Sequence, residues 1–436
     1  TTQDVTVTIT GTNDQPTITV VDATGAVTED ATTPNLTDSG SVTFAEVDDT
    51  DLLNSSVALS GTTTTGPTIP SGLATALASS VSLTQTGTND GSIAWDFSVD
   101  NSLVQYLADG ETITATYTIT VTDDSGTGNN TTTQDVTVTI TGTNDQPTIT
   151  VVDVTGAVTE DATTPNLTDS GSVTFAEVDD TDLLNSSVAL SGTTITGPAI
   201  PSGLATALAS SVSLTQTGTN DGSIAWDFSV DNSLVQYLAD GETITATYTI
   251  TVTDDSGTGN NTTTQDIIVT ITGTNDQPTI TVVDVAGSVT EDATTPNLTD
   301  SGSVTFAEVD DTDLLNSSVA LSGTTTTGPT VPAGLATALS SAVSITQTGS
   351  NDGSIAWDFS VDNSLVQYLA DGETITATYT VTVTDDSGTG NNTTTQDVTV
   401  TITGTNDQPT ITVVDVTGAV TEDATTPNLT DSGSVT

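Results

Sequence analysis

The chain has 436 residues and carries 57 Asp and Glu against no Lys, Arg or His, a formal net charge of −57. With no basic side chain it has nothing to bind a phosphate backbone or an anionic lipid surface, which excludes nucleic acid as a partner. The missing His, Cys and Lys exclude imidazole, thiol and Schiff-base catalysis, and zinc or copper sites of the usual type.

The ligand chemistry that remains is oxygen: carboxylate, amide, carbonyl and hydroxyl. That set suits hard cations, calcium above all. No disulfide is available, and no apolar run is long enough to insert directly into a membrane. An apolar fraction of 33% with so much charge would alone fit disorder. The periodicity described next argues for folded domains. The chain does not begin with Met and opens inside a strand-like segment, so it reads as an excerpt from a longer protein.

The segment GTNDQP recurs at Gly11, Gly142, Gly273 and Gly404, a constant period of 131 residues. That is the size of a domain, much longer than a solenoid repeat. The chain therefore divides into residues 1–16, the C-terminal strand of a preceding repeat, and three repeats at 17–147, 148–278 and 279–409. Residues 410–436 are the N-terminal part of a following repeat.

The first unit sets the pattern. Thr17 to Val21 alternates as a strand, and Val27 to Asp30 (VTED) ends on the acidic pair Glu29 and Asp30. Ser41 to Phe44 is a strand running into the acidic loop FAEVDDTD, with Glu46, Asp48, Asp49 and Asp51. Ser56 to Ser60 is the next strand. Gly72 to Ser80 is a short helix with Leu73, Ala76 and Leu77 at helical spacing. Val81 to Thr84 and Ile93 to Val99 are strands joined by a hairpin turn at Gly87 to Ser92 (GTNDGS). Asn101 to Leu107 is predicted as two helical turns. Thr112 to Thr122 (TITATYTITVT) turns Ile113, Ala115, Tyr117, Ile119 and Val121 to one face and threonines to the other. Asp123 and Asp124 follow it, and Val136 to Thr141 closes the unit before Asn144 and Asp145 of the next GTNDQP.

About seven strands of this kind predict an all-β fold, an Ig-like antiparallel sandwich. Trp95, Phe97, Leu103, Tyr106 and Tyr117 are its core anchors. Trp95 and its equivalents Trp226 and Trp357 sit in alternating apolar strands, which favours burial over a sugar-stacking platform.

The carboxylates cluster at strand ends. In the first unit the candidate metal ligands are Asn13, Asp14, Glu29, Asp30, Glu46, Asp48, Asp49, Asp51, Asp123 and Asp124. In the second they are Asn144, Asp145, Glu160, Asp161, Glu177, Asp179, Asp180, Asp182, Asp254 and Asp255. In the third they are Asn275, Asp276, Glu291, Asp292, Glu308, Asp310, Asp311, Asp313, Asp385 and Asp386. Asn406, Asp407, Glu422 and Asp423 close the series. Close carboxylate pairs repel by about 1 kcal/mol in water and by more when partly buried. Gathering them without an internal cation calls for an external one, and calcium accepts six to eight oxygens. Asp4, Asp38, Asp90 and Asp135 fit a solvated acidic surface instead.

Gly40 to Asp51, Trp95 to Thr127 and Thr132 to Pro147, with VTED before them, resemble the VCBS repeat of giant bacterial RTX-type surface adhesins. Gly61 to Thr86 carries little of that pattern. The unit is also similar to cadherin-type domains, in which an Asn-Asp linker ending in Pro joins an early Glu, an acidic loop and a late Asp-x-Gly. The resemblance implies tandem Ig-like or cadherin-like sandwiches in a linear string, with calcium held between neighbours. It also implies a non-enzymatic extender at a bacterial surface or in a secreted matrix, projecting modules for cell adhesion and biofilm formation. Partners would be the neighbouring repeats and, in a fibre, identical chains. Glu46 stands where the adhesin pattern often has Asp.

Two alternatives stay open at this stage. Bare Thr-rich edges could pair laterally into a filament, and Trp95 with Asp96 could form a carbohydrate-binding platform. A glycosidase carboxylate pair has no recognisable frame here. The sequons at Asn35, Asn54, Asn129 and Asn130 arise easily in a chain this rich in Thr and Asn.

Overall fold

A computed structural model describes residues 2–436. The first unit runs β1 (Thr17–Asp22), β2 (Thr24–Thr28), β3 (Asn35–Ala45), β4 (Asn54–Thr64), α1 (Ser71–Leu77), β5 (Val81–Thr86), β6 (Gly91–Asp100), β7 (Thr112–Thr122) and β8 (Thr131–Thr141). The strands form two four-stranded sheets, ordered β1-β3-β6-β5 and β2-β8-β7-β4. The second and third units repeat this order. The fold is the expected all-β string of antiparallel sandwiches.

The eighth strand is β2, which the sequence did not announce. After Asp22 the chain leaves the first sheet and Thr24–Thr28 joins the second, parallel to β8, with Thr24 opposite Thr137 and Thr28 opposite Thr141. Strand β3 is longer than expected because Asp38 and Gly40 interrupt its apolar face without interrupting its pairing with β6. The stretch expected as two helical turns is a single 3-10 turn, Asn101–Leu103. There the buried Asn101 amide donates to the Asp30 carbonyl and holds the chain. The repeat-end sequence VTVTIT is β8 at Val136–Thr141, but Val5, Val7 and Ile9 are exposed and residues 2–16 form no strand. Among the described residues they pair with no neighbouring strand.

Each unit has its own core. The buried apolar clusters run from Val27 to Ile140, Val158 to Ile271 and Val289 to Ile402, and none crosses a joint. The inward face of β7 is buried along its whole length, and Phe97 meets Tyr117 edge-on at 6.3 Å between ring centres. Trp95 is 0% exposed, and its indole N–H donates to the Asp22 carbonyl at 2.8 Å. Trp226 and Trp357 are equally enclosed. A buried indole cannot stack on a sugar, so the carbohydrate platform of Trp95 with Asp96 loses its stacking ring.

Candidate metal centre

The joint between the first and second units shows how the site is built. The strand Asn166–Ala176 ends in the acidic loop, where Glu177 folds back and accepts from Val178 N–H at 2.8 Å. The hairpin turn of the second unit braces that loop: Asn220 donates its amide to the carbonyls of Asp179 at 2.8 Å and Asp182 at 3.2 Å. Asp221 of the same turn accepts from Glu177 N–H at 3.2 Å. The loop after the strand Thr243–Thr253 supplies Asp254 and Asp255, and Asp255 accepts from Leu183 N–H at 2.8 Å.

The linker enters this acidic pocket. Asp145 N–H donates to Asp179 Oδ2 at 2.9 Å, and the Asn144 amide donates to Asp254 Oδ2 at 3.4 Å. Asn260 donates to the Asn144 carbonyl at 2.7 Å, and Gln146 donates to the Thr262 carbonyl at 2.5 Å. From the upstream unit the Tyr106 carbonyl accepts from Asp180 N–H at 3.2 Å. The Glu111 carboxylate accepts from the Thr181 hydroxyl at 3.0 Å.

This arrangement leaves five buried oxygens with no hydrogen-bond donor: Asn144 Oδ1, Asp145 Oδ2, Glu177 Oε2, Asp179 Oδ1 and Asp182 Oδ2. The same five recur at the next joint on Asn275, Asp276, Glu308, Asp310 and Asp313. A buried acceptor left unpaired costs about 1–3 kcal/mol, and more when charged. At the N-terminal linker, where no folded unit precedes among the described residues, only Asn13 Oδ1 and Glu46 Oε2 are in that state. As the side chains stand, no three carboxylates among the described residues are drawn together as a finished metal site. Mutual repulsion is what a cation would have to overcome to close them. The donor set is all oxygen and mostly anionic, and so fits calcium.

The titration of these groups reflects their isolation from water. Burial above all pushes Asp179 up to about 8, with Asp145, Asp182 and Glu177 adding repulsion and the Asp145 N–H holding it back. Asp310 is likewise pushed to about 8. Burial and then Asp254, Asp255, Glu111 and Asp109 push Asp182 to about 6, and Glu308 rises to about 7. Asp145 is raised by burial and by the nearby Glu29.

Not every expected ligand joins the cluster. Asp30 accepts from Thr32 N–H at 2.7 Å and Thr33 N–H at 2.6 Å, and its own turn holds it down to about 2. Asp161 and Asp292 repeat that turn. Asp180 reaches the upstream unit through its backbone N–H. Asn406, Asp407, Glu422 and Asp423 are exposed.

Other residues were missed. Asp109 and Glu111 come from upstream, in a short D-G-E ahead of β7. Asn260 and Asn220 brace the linker and loop. The echo of the junction motif in GTNDGS was the available signal for Asn220 and its counterparts. Asp38, expected on a solvated surface, accepts from Ala26 N–H at 2.7 Å on the edge strand β2.

No family model matches the chain, and no curated protein does. Among solved structures it is similar to zebrafish RET cadherin-like domains 1 to 4, at 12% identity and a TM-score of 0.20 over 81% of this chain. It spans 65% of that RET chain. Drosophila N-cadherin EC1-4 matches at 10% identity and a TM-score of 0.29, over 91% of this chain and 76% of that one. Titin domains Z1Z2 in complex with telethonin match at 12% identity and a TM-score of 0.24, over 60% and 99%. The likeness concerns tandem β-domain architecture and stops there.

Proposed function

We propose that this chain is an extender: tandem sandwiches whose joints are stiffened by calcium, outside the cell, at a bacterial surface or in a secreted matrix. It would hold adhesive modules away from their anchor in cell adhesion and biofilm formation, with no catalytic role. The observation that supports this most is the set of five donorless buried oxygens, repeated at two successive joints. In a chain with no basic side chain, an external cation is what can satisfy these buried acceptors, four of them carboxylate oxygens, together in their ionised form. Calcium would be held by Asn144, Asp145, Glu177, Asp179 and Asp182, with Asp254, Asp255 and Glu111 adding negative charge around it.

Small-angle scattering and calorimetric titration of the whole chain test the proposal. Calcium should bind at both complete joints and lengthen the particle relative to EDTA. Identical profiles in calcium and EDTA, with no heat of binding, would reject it.

A further inference from the structure

The joint changes ownership at one peptide bond. Thr143 is held by the upstream unit: its N–H donates to Glu29 Oε2 at 2.8 Å and its hydroxyl to the same oxygen at 2.6 Å. Glu29 is 1% exposed, and Gln105 donates to its other oxygen at 2.8 Å. The next residue, Asn144, is held by the downstream unit through Asp254 and Asn260.

The two ends of the chain separate these halves. At Thr405 no folded unit follows among the described residues, yet its N–H still donates to Glu291 Oε2 at 2.7 Å. Asn406 and Asp407, one and two residues on, are exposed. At Asn13 no folded unit precedes among the described residues, yet Asn129 donates to the Asn13 carbonyl at 2.8 Å and Asp14 N–H donates to Asp48 Oδ2 at 2.9 Å. Thr12 beside it is exposed. The grip on Thr and the clasp on Asn-Asp therefore form independently, each from its own unit.

We propose that Glu29, with Glu160 and Glu291, is a positioning residue of the joint. Its carboxylate accepts both the N–H and the hydroxyl of Thr143, which fixes the direction in which the linker leaves β8. The next two residues then present Asn144 Oδ1 and Asp145 Oδ2 to the downstream acidic loop in one orientation. Glu29 already accepts three hydrogen bonds, most of what a carboxylate can take. Its main role is thus to aim the linker, where the sequence suggested a direct ligand. The ligand role of Asn144 and Asp145 rests on the calcium reading above, but the grip on Thr143 does not.

The test uses the full chain with Thr143, Thr274 and Thr405 all changed to Val, and the same three changed to Ser. Valine keeps the shape and the N–H but removes the hydroxyl, and serine restores it. In calcium the Val chain should bind as many ions as the parent, with an affinity lower by about tenfold, as for a lost hydrogen bond to a charged group. Its scattering should shift towards a flexible string, its tryptophan melting transitions in EDTA should move by no more than a few degrees, and the Ser chain should match the parent.

A Val chain that superposes on the parent in affinity and scattering overturns the proposal. If calcium does not affect the parent, the calcium reading fails by itself, and the comparison is made in EDTA. There, greater flexibility of the Val chain sustains the positioning role, and superposition overturns it.

Discussion

Raising the pH of the metal-free chain from about 5 to about 8 should destabilise it, the reverse of what paired carboxylates do. Asp179, with an ordinary value of 3.8, is pushed to about 8, and Asp182 to about 6. Between the unfolded and folded values the native state holds protons that the unfolded chain has released. Native stability is then greatest at low pH and falls as pH rises through that window. For a group displaced from 3.8 to about 6 the full cost, reached once both states are ionised, is about 3 kcal/mol. Neighbouring carboxylates that share the penalty, and water admitted as the joint loosens, reduce the sum to about 1–3 kcal/mol per joint. That corresponds to a fall of roughly 3–10 °C in melting temperature. Calcium prefers the ionised form, so at pH 8 it should restore the loss and release protons on binding. Tryptophan fluorescence melts at several pH values, in EDTA and in calcium, read both effects. The Asp179→Asn, Asp310→Asn chain separates the joint from general charge repulsion: its metal-free melting should depend much less on pH and gain little from calcium. A parent melting temperature that stays level or rises between pH 5 and 8 in EDTA would refute the reasoning.

Changing Asn220 and Asn351 to Ala removes the amide braces on the acidic loops, bonded at 2.8 Å to Asp179 and Asp310 carbonyls. Calcium affinity measured by calorimetry should fall about tenfold while the melting temperature in EDTA changes by only a few degrees. Gly171→Ala would place a Cβ 2.6 Å from the Trp226 ring and 2.7 Å from the Asp153 carbonyl. Overpacking of this kind costs about 1–3 kcal/mol, seen as a lower melting transition for the second unit. Gly192→Ala, with nothing within 4 Å, is the control and should leave it unchanged.

Much of the fold is legible because period-two alternation is strong where a sheet is buried on one face. Thr112–Thr122 reads as β7 from sequence, and every second residue is buried in the structure. Strand β2 is not legible, because TGAVT is short and its parallel partner lies more than a hundred residues away. Gly40 looks like a strand breaker, yet it is the space into which the Trp95 ring packs. The acidic loop was legible as a candidate site, since adjacent carboxylates without cations stand out in composition. Which carboxylates face the joint was not. Glu29 and Asp30 are neighbours, but Glu29 follows β2 and meets the linker, whereas Asp30 is captured by the N–H groups of Thr32 and Thr33. Hydrogen bonds two and three residues away decide that divergence. The linker's division between Thr143 and Asn144 was hidden for a similar reason: six unbroken repeat letters gave no sign that the motif is shared by two domains.

The chain keeps its folding energy and its joint energy in different places. Each unit buries its own tryptophan, tyrosine and β-branched core, and no apolar cluster crosses to a neighbour. What crosses is polar: a main-chain bond from Asp180 to Tyr106, a hydroxyl on Glu111, and a linker threaded into carboxylates. Without a cation, like charges oppose one another at each joint while the cores keep their own contacts. A lysine or arginine among those oxygens would neutralise the joint from within and remove its dependence on the medium. The total lack of basic residues leaves no such internal neutralisation at either complete joint. On the calcium reading proposed above, stiffness would follow the external cation while the domains stay folded, because the carboxylates at the joint are not the groups that hold the sandwiches together.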